Sequence, residues 1–287
     1  MILRFNTSTP VILLAMCLAQ FSFAQTTAKP AAENKPQTKE EKKTAAKEEK
    51  KAAAALAARD SKNLTGEQIA ESTIFIYGAG GGRPILNQIR KTTLERGKIN
   101  ITNAEGRTDQ ATYYRWIQRA ETLNKEKIRL DQEFSNARYS LVFNDEKIFG
   151  IVDDAVFTPR DDASVAFENQ IVHSLEALLR YKENESKLDL VGNEKILGVE
   201  YHILDVTDKQ GRKTRFYISA KRFRVMMLDY EQNGVKYRRR FYDYNYAQGT
   251  LVPFRTVLWA GDKLVEETEV GTITFGQKID ETMFSAG

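Results

Sequence analysis

Two histidines, three carboxylate doublets and one glycine loop are the residues of this 287-residue chain that suggest chemistry. His173 and His202 are far apart, and neither falls in a zinc-ligand motif. No strained Gly-x-Ser-x-Gly turn supplies a nucleophile for either. Both histidines therefore read as structural. The like-residue doublets beyond residue 62 are Asp153-Asp154, Asp161-Asp162 and Glu266-Glu267. A glycosidase needs two carboxyls facing each other across a cleft, whereas adjacent residues on a strand point to opposite faces. Asp161-Asp162 reads as a helix cap, and the others as turns or solvated faces. Ile74-Phe75-Ile76-Tyr77 followed by Gly78-Ala79-Gly80-Gly81-Gly82 has the look of a phosphate-cradling loop. Arg83 stands where the third glycine belongs, Pro84 follows, and the Lys-Ser/Thr ending is missing. The loop reads as a helix-ending hinge. Neither enzymatic activity nor a cofactor is expected.

The most specific polar signal is a basic run. Residues 209–240 carry eleven Lys and Arg against Asp229 and Glu231. Strand parity puts Lys213 and Arg215 on one face, opposite Thr214, Phe216 and Ile218. It puts Lys236, Arg238 and Arg240 on one face, opposite Val235, Tyr237 and Phe241. A sheet with a cationic outer face and an apolar inner face follows. Two readings of the outer face stay open: docking to an acidic envelope protein or an anionic membrane surface, or ordinary charges paired across strands. Aromatics interleaved with these arginines would suit stacking on nucleic acid. Export argues against that partner, and strand packing explains them.

Export is read from the N-terminus. Arg4 precedes the apolar run Val11 to Phe23, which is short for a bilayer span, and Ser22-Phe23-Ala24 fits a cleavage site. Residues 1–24 are expected to be a signal peptide and the protein periplasmic, with a retained anchor as the alternative. Cys17, the only cysteine, lies in that run, and the larger Met16 before it disfavours a lipid-attachment box. Cleavage leaves a chain without a disulfide, so its core must hold it together. Residues 25–62 are rich in Ala, Lys and Glu, have no aromatic, and read as a disordered or transiently helical tether. The formal charge of +4 belongs to this tether and Arg4, leaving the domain at 63–287 near −1.

The elements that must position these residues are mostly strands. A helix capped by Asn63 or Thr65 opens the domain, and a short one follows the glycines, running to Leu94. Strand patterns then run over 98–102, 111–120, 127–134, 137–144 and 147–158. Ala163 to Lys182 carries an apolar stripe with helical spacing and is expected to be one amphipathic helix. From Lys187 to Phe284, apolar runs punctuated by glycines predict an antiparallel meander. The fold class is α+β: a curved antiparallel sheet of about ten strands, forming an unclosed half-barrel with helices covering its concave face.

The C-terminal part resembles the LolA-like periplasmic lipoprotein-carrier superfamily. The matching pieces are Val191-Gly192, Gly198 to Leu204, Gly211, Thr214 to Ser219, Gln248 to Phe254, and Lys278 to Phe284 as the closing strand with its terminal phenylalanine. The resemblance implies an open barrel that binds lipoprotein acyl chains or other lipids, or senses envelope state, without catalysis. On that reading an apolar ligand lies between sheet and helix. Phe167, Ile171, Leu175, Leu178, Phe216, Ile218, Met226, Leu228 and Trp259 are its candidate lining. Lys213, Arg215, Lys236, Arg238 and Arg240 are the candidate partner-docking residues.

Overall fold

A computed structural model describes residues 64–103 and 105–285. The expected signal peptide (1–24) and tether (25–62) lie outside the described residues. Helix α1 (Gly66–Tyr77) starts at Thr65, whose side chain accepts from the Gln68 amide while Gln68 reaches back to the Thr65 amide. That reciprocal box satisfies two of the amide donors a helix start leaves without partners. The glycine run ends the helix in a hydrogen-bonded turn. The Gly80 amide bonds the Phe75 carbonyl, the Ala79 amide bonds the Ile76 carbonyl, and Ala79 is left-handed at φ 49°. Helix α2 (Gly82–Ile89) follows.

The strands are β1 (Thr92–Thr102), β2 (Thr108–Gln118), β3 (Lys127–Phe134), β4 (Arg138–Asn144), β5 (Lys147–Val152) and β6 (Ala155–Phe157). After two helices come β7 (Lys187–Ile196), β8 (Val199–Thr207), β9 (Lys213–Ser219), β10 (Val225–Gln232), β11 (Val235–Ala247), β12 (Thr250–Ala260) and β13 (Lys263–Phe275). Residues 92–97, expected partly as helix, are strand, because both edges of β1 are paired, with β2 and β13.

All thirteen strands form one antiparallel sheet in the order β6-β5-β4-β3-β2-β1-β13-β12-β11-β10-β9-β8-β7. Two meanders therefore meet at the β1·β13 seam, and the sheet does not close into a barrel. The α+β half-barrel class holds, with more strands than expected. At the seam, Gly97 is required by close approach: a Cβ there would lie 2.0 Å from the Glu269 carbonyl oxygen.

The expected single helix over 163–182 is two, α3 (Asp161–Val172) and α4 (Leu175–Leu179), broken at His173-Ser174. The cap position is Arg160, not Asp161 or Asp162, which lie in the first turn. Because β6 and β7 are opposite edges of the sheet, the chain between them has to cross its concave face, and α3–α4 form this strap.

The core is divided. One apolar cluster packs α1, α2 and α4 on the C-terminal meander, around Ile74, Leu178, Phe216, Ile218, Leu228 and Leu251. The second packs Phe167 and Ile171 of α3 on β1–β4, around Ile99, Tyr113, Leu130 and Leu141. The chain after β13 does not add a strand, contrary to expectation. Glu281–Phe284 is a 3-10 turn, and Phe284 is buried with Val142, Ile151 and Ile279.

Candidate functional site

Between the two apolar clusters lies a cavity of about 170 Å³, roofed by the strap and floored by the seam strands. Phe167, Ile171 and Leu175 from the strap line it, facing Phe241, Val252 and Phe275 from the sheet. Its middle is polar. Glu95 accepts from the Tyr113 hydroxyl at 2.7 Å and from Arg115 at 3.4 Å. Arg115 donates to Gln170 Oε1 at 3.2 Å, and Gln170 Nε2 donates to Glu266 at 2.8 Å. Glu266 Oε1 stands 3.6 Å from Arg239 Nη2. Gln170 of α3 thus ties the strap to the seam strands, and Glu168 of the same helix pairs with Arg212 at 2.7 Å.

The α4 end of the strap is held differently. Glu176 pairs with Arg90 at 2.7 Å and Arg119 at 3.2 Å. Burial works against its ionisation, but the two guanidinium groups outweigh this and hold the carboxyl below its usual range. Arg90 also donates to Thr250 and to the Leu251 carbonyl. Arg180 pairs with the buried Glu126, which also takes Arg119 at 2.6 Å.

The expected lining residues separate into four sets. Phe167, Ile171 and Leu175 line the cavity. Leu178, Phe216, Ile218 and Leu228 are fully buried in the closed cluster beneath α1. Met226 is half-buried at the register irregularity between Val225 and Met227. Trp259 is on the other side of the sheet from its expected place. It pairs in register with Arg238, and the Arg240 guanidinium lies over its ring at 5.4 Å. Alternation along β12 is unbroken there: Leu258 pairs with the inward Arg239 and its neighbour Trp259 with the outward Arg238, while the register irregularity falls on β13, where Val265 is passed over.

The docking candidates do share the outer face, but two aspartates hold most of them. Asp205 pairs with Arg215 at 2.7 Å and Lys213 at 3.6 Å. Asp229 pairs with Arg238 at 2.7 Å and Lys236 at 3.3 Å. Burial opposes the charge on Asp229, and Arg238 more than compensates, keeping its carboxyl below the usual range. Arg240 on Trp259 borders a shallow hollow with Lys236 and Arg238.

Sequence reasoning missed Glu95, Arg115, Gln170 and Arg239 as groove residues and took Glu266 for a solvated carboxylate. The signal for Arg239 was parity: it alternates inward with Tyr237 and Phe241, between the outward Arg238 and Arg240.

Neither histidine joins the groove chain. His202 Nδ1 meets Asn193 at 2.6 Å, and His173 Nδ1 meets the Thr214 hydroxyl at 2.7 Å. His173 is 3% exposed and stacks on Tyr230 at 4.1 Å. Burial first, then Arg212 and Arg239, push its pKa down to about 4. The unfolded chain takes this proton near pH 6.5 and the folded chain does not. Stability from the neutral ring is therefore complete above pH 6.5 and falls as the pH drops toward 4, by about 3 kcal/mol in all. Urea unfolding across this window should show the extra slope in the native protein and its loss in His173→Gln. Parallel curves would refute the assignment.

Among the described residues, no cluster of three or more His, Cys, Asp or Glu could hold a metal ion. No helix among them is long and apolar enough to cross a membrane.

The architecture has solved counterparts. A DUF1329 family protein from Desulfovibrio piger superposes with a TM-score of 0.55 at 12% identity, over 77% of this chain and 95% of its own. A LolA superfamily protein from Nitrosomonas europaea gives 0.52 at 10% identity, over 78% and 98%. A putative outer membrane lipoprotein-sorting protein domain from Vibrio parahaemolyticus gives 0.47 at 11% identity, over 82% and 97%. No family model and no curated protein matches the chain. At these identities the likeness establishes the fold, which is LolA-like.

Proposed function

From a LolA-like fold with a roofed groove at its seam, we propose that the protein is an exported, non-enzymatic binding protein of the periplasm. It holds the hydrocarbon of a lipid or lipoprotein acyl group under the α3–α4 strap, in a role such as outer-membrane lipoprotein sorting. The observation that carries this reading is the cavity between the two halves of the core. Continuous packing would have filled that space, because protein interiors are normally close-packed. Phe167, Ile171 and Leu175 contact the chain, and Leu178, Phe216, Ile218 and Leu228 form the rigid wall behind them. Affinity comes from burial, about 0.8 kcal/mol per methylene.

Mass spectrometry of protein purified without detergent should find co-purifying lipid, and a fluorescent fatty-acid probe should compete with it. Protein that is lipid-free and ignores the probe would refute the reading. A second reading rests on the hollow beside Trp259, where Arg240 lacks the bidentate carboxylate that holds Arg238. There the protein is an envelope interaction or sensor protein whose cationic face docks an acidic partner or an anionic membrane. Loss of partner capture in Arg240→Glu, with no lipid in either protein, would favour it.

A further inference from the structure

One guanidinium in the groove is not matched by the protein around it. Arg239 has a side chain only 10% exposed, and Nε and Nη2 are both buried without a hydrogen-bond partner among the described residues. Its nearest carboxylate oxygen, Glu266 Oε1, is 3.6 Å away and outside hydrogen-bond range. Glu266 is already engaged through its other oxygen by Gln170. A buried donor left unsatisfied is costly, more so when charged.

The geometry of the unmatched edge is specific. Nε and Nη2 form the same side of the guanidinium that Arg215 offers to Asp205 and Arg238 offers to Asp229. On the outer face of this sheet, that edge twice holds a carboxylate in two-point contact. Such a fork suits the two oxygens of a carboxylate or phosphate.

Charge agrees independently. Arg90, Arg115, Arg119 and Arg239 line the cavity against Glu95, Glu176 and Glu266, an excess of one positive charge. The Glu126–Arg180 pair behind them leaves that balance unchanged. Three of the four arginines have a carboxylate partner at 3.4 Å or less; Arg239 is the fourth.

We propose that the groove takes one anionic headgroup, a carboxylate or phosphate seated on the Nε–Nη2 edge of Arg239, so that its ligand is a single-chain anionic amphiphile. The chain then runs beneath Phe167, Ile171 and Leu175. This rests on the apolar-ligand reading and narrows it: an uncharged acyl anchor would leave Arg239 unmatched.

Calorimetry of the mature protein with decanoate, decyl phosphate and 1-decanol tests it, since the alcohol keeps the chain and lacks the anion. Acetate and inorganic phosphate report the anion without the chain. Decanoate or decyl phosphate should bind at least tenfold tighter than decanol, from hydrogen bonds to a charged group. The stronger of the two identifies the headgroup. Arg239→Gln and Arg239→Leu should erase the preference while decanol affinity is kept or improved. Equal binding of anion and alcohol overturns the anionic subsite and leaves the apolar groove standing. Acetate or phosphate binding as tightly as the long-chain anions overturns the amphiphile. Failure of all three long-chain ligands overturns both readings. The native protein alone decides among these, whether or not the variants fold.

Discussion

Replacing Glu126 with alanine is expected to destabilise the protein by about 3–5 kcal/mol, the usual consequence of removing one partner from a buried ion pair. Glu126 is completely buried just before β3. It takes Arg119 Nη1 at 2.6 Å and pairs with Arg180. Without it, two buried guanidinium groups face each other. Burial, followed by the charge of Arg119, already lowers the Arg180 pKa to about 10. Losing the carboxylate removes the contact that makes this arrangement tolerable. Glu126→Gln keeps the shape and one acceptor and should cost less. Urea unfolding of the two variants checks both the size and the order. A loss below about 1 kcal/mol in the alanine variant would mean the arginines are as well solvated as a surface pair. The same contacts fasten α4 to the sheet, so the variant should also loosen the strap.

Much of this architecture was legible from alternation alone. The hairpin meander from Lys187, the outward Lys213, Arg215, Lys236, Arg238 and Arg240, and the inward Phe216, Ile218 and Leu228 all follow from a period of two. The closing Phe284 announced itself as apolar, but nothing local said it would seat in a 3-10 turn against Val142 and Ile151. Two expectations failed for different reasons. Trp259 obeys plain alternation, outward beside the inward Leu258, so parity applied to β12 would have placed it correctly. The strap broke at His173-Ser174 because the ring of His173 is fixed by Thr214 and Tyr230, partners 41 and 57 positions away. The groove was hidden for another reason. Glu95, Arg115, Gln170 and Glu266 come from four elements and become neighbours only when the two meanders join at β1·β13. Arg239 was legible by parity, yet inside a basic run it passed as one more surface cation.

Affinity for a homologous series of fatty acids is expected to rise in two stages. Each methylene buried contributes about 0.8 kcal/mol, roughly fourfold in affinity. The cavity of about 170 Å³ fills early, since a dry cavity of about 150 Å³ accommodates benzene. A headgroup and a short stretch of chain therefore occupy it with the strap in place. Longer chains need α3 to lift. The α4 end is pinned by the buried pairs of Glu176 and Arg180, whereas α3 is held by Gln170 to the floor and by a half-exposed ion pair of Glu168 with Arg212 at 2.7 Å, with His173 on Thr214 at its end as the pivot. Lifting α3 exposes Phe167 and Ile171, at about 1.5–3 kcal/mol each. That cost of about 3–6 kcal/mol equals the burial of about four to eight methylenes. Titration from hexanoate to palmitate should then show a rise, a shelf about four to eight methylenes wide, and a second rise. Gln170→Ala, which removes the tie of α3 to the seam strands, should shorten the shelf and speed association of the long chains. A shelf that never ends would show that the strap does not move, restricting the ligand to short chains. An uninterrupted rise would mean the groove is already open along its length, and that Phe167 and Ile171 are a wall rather than a roof.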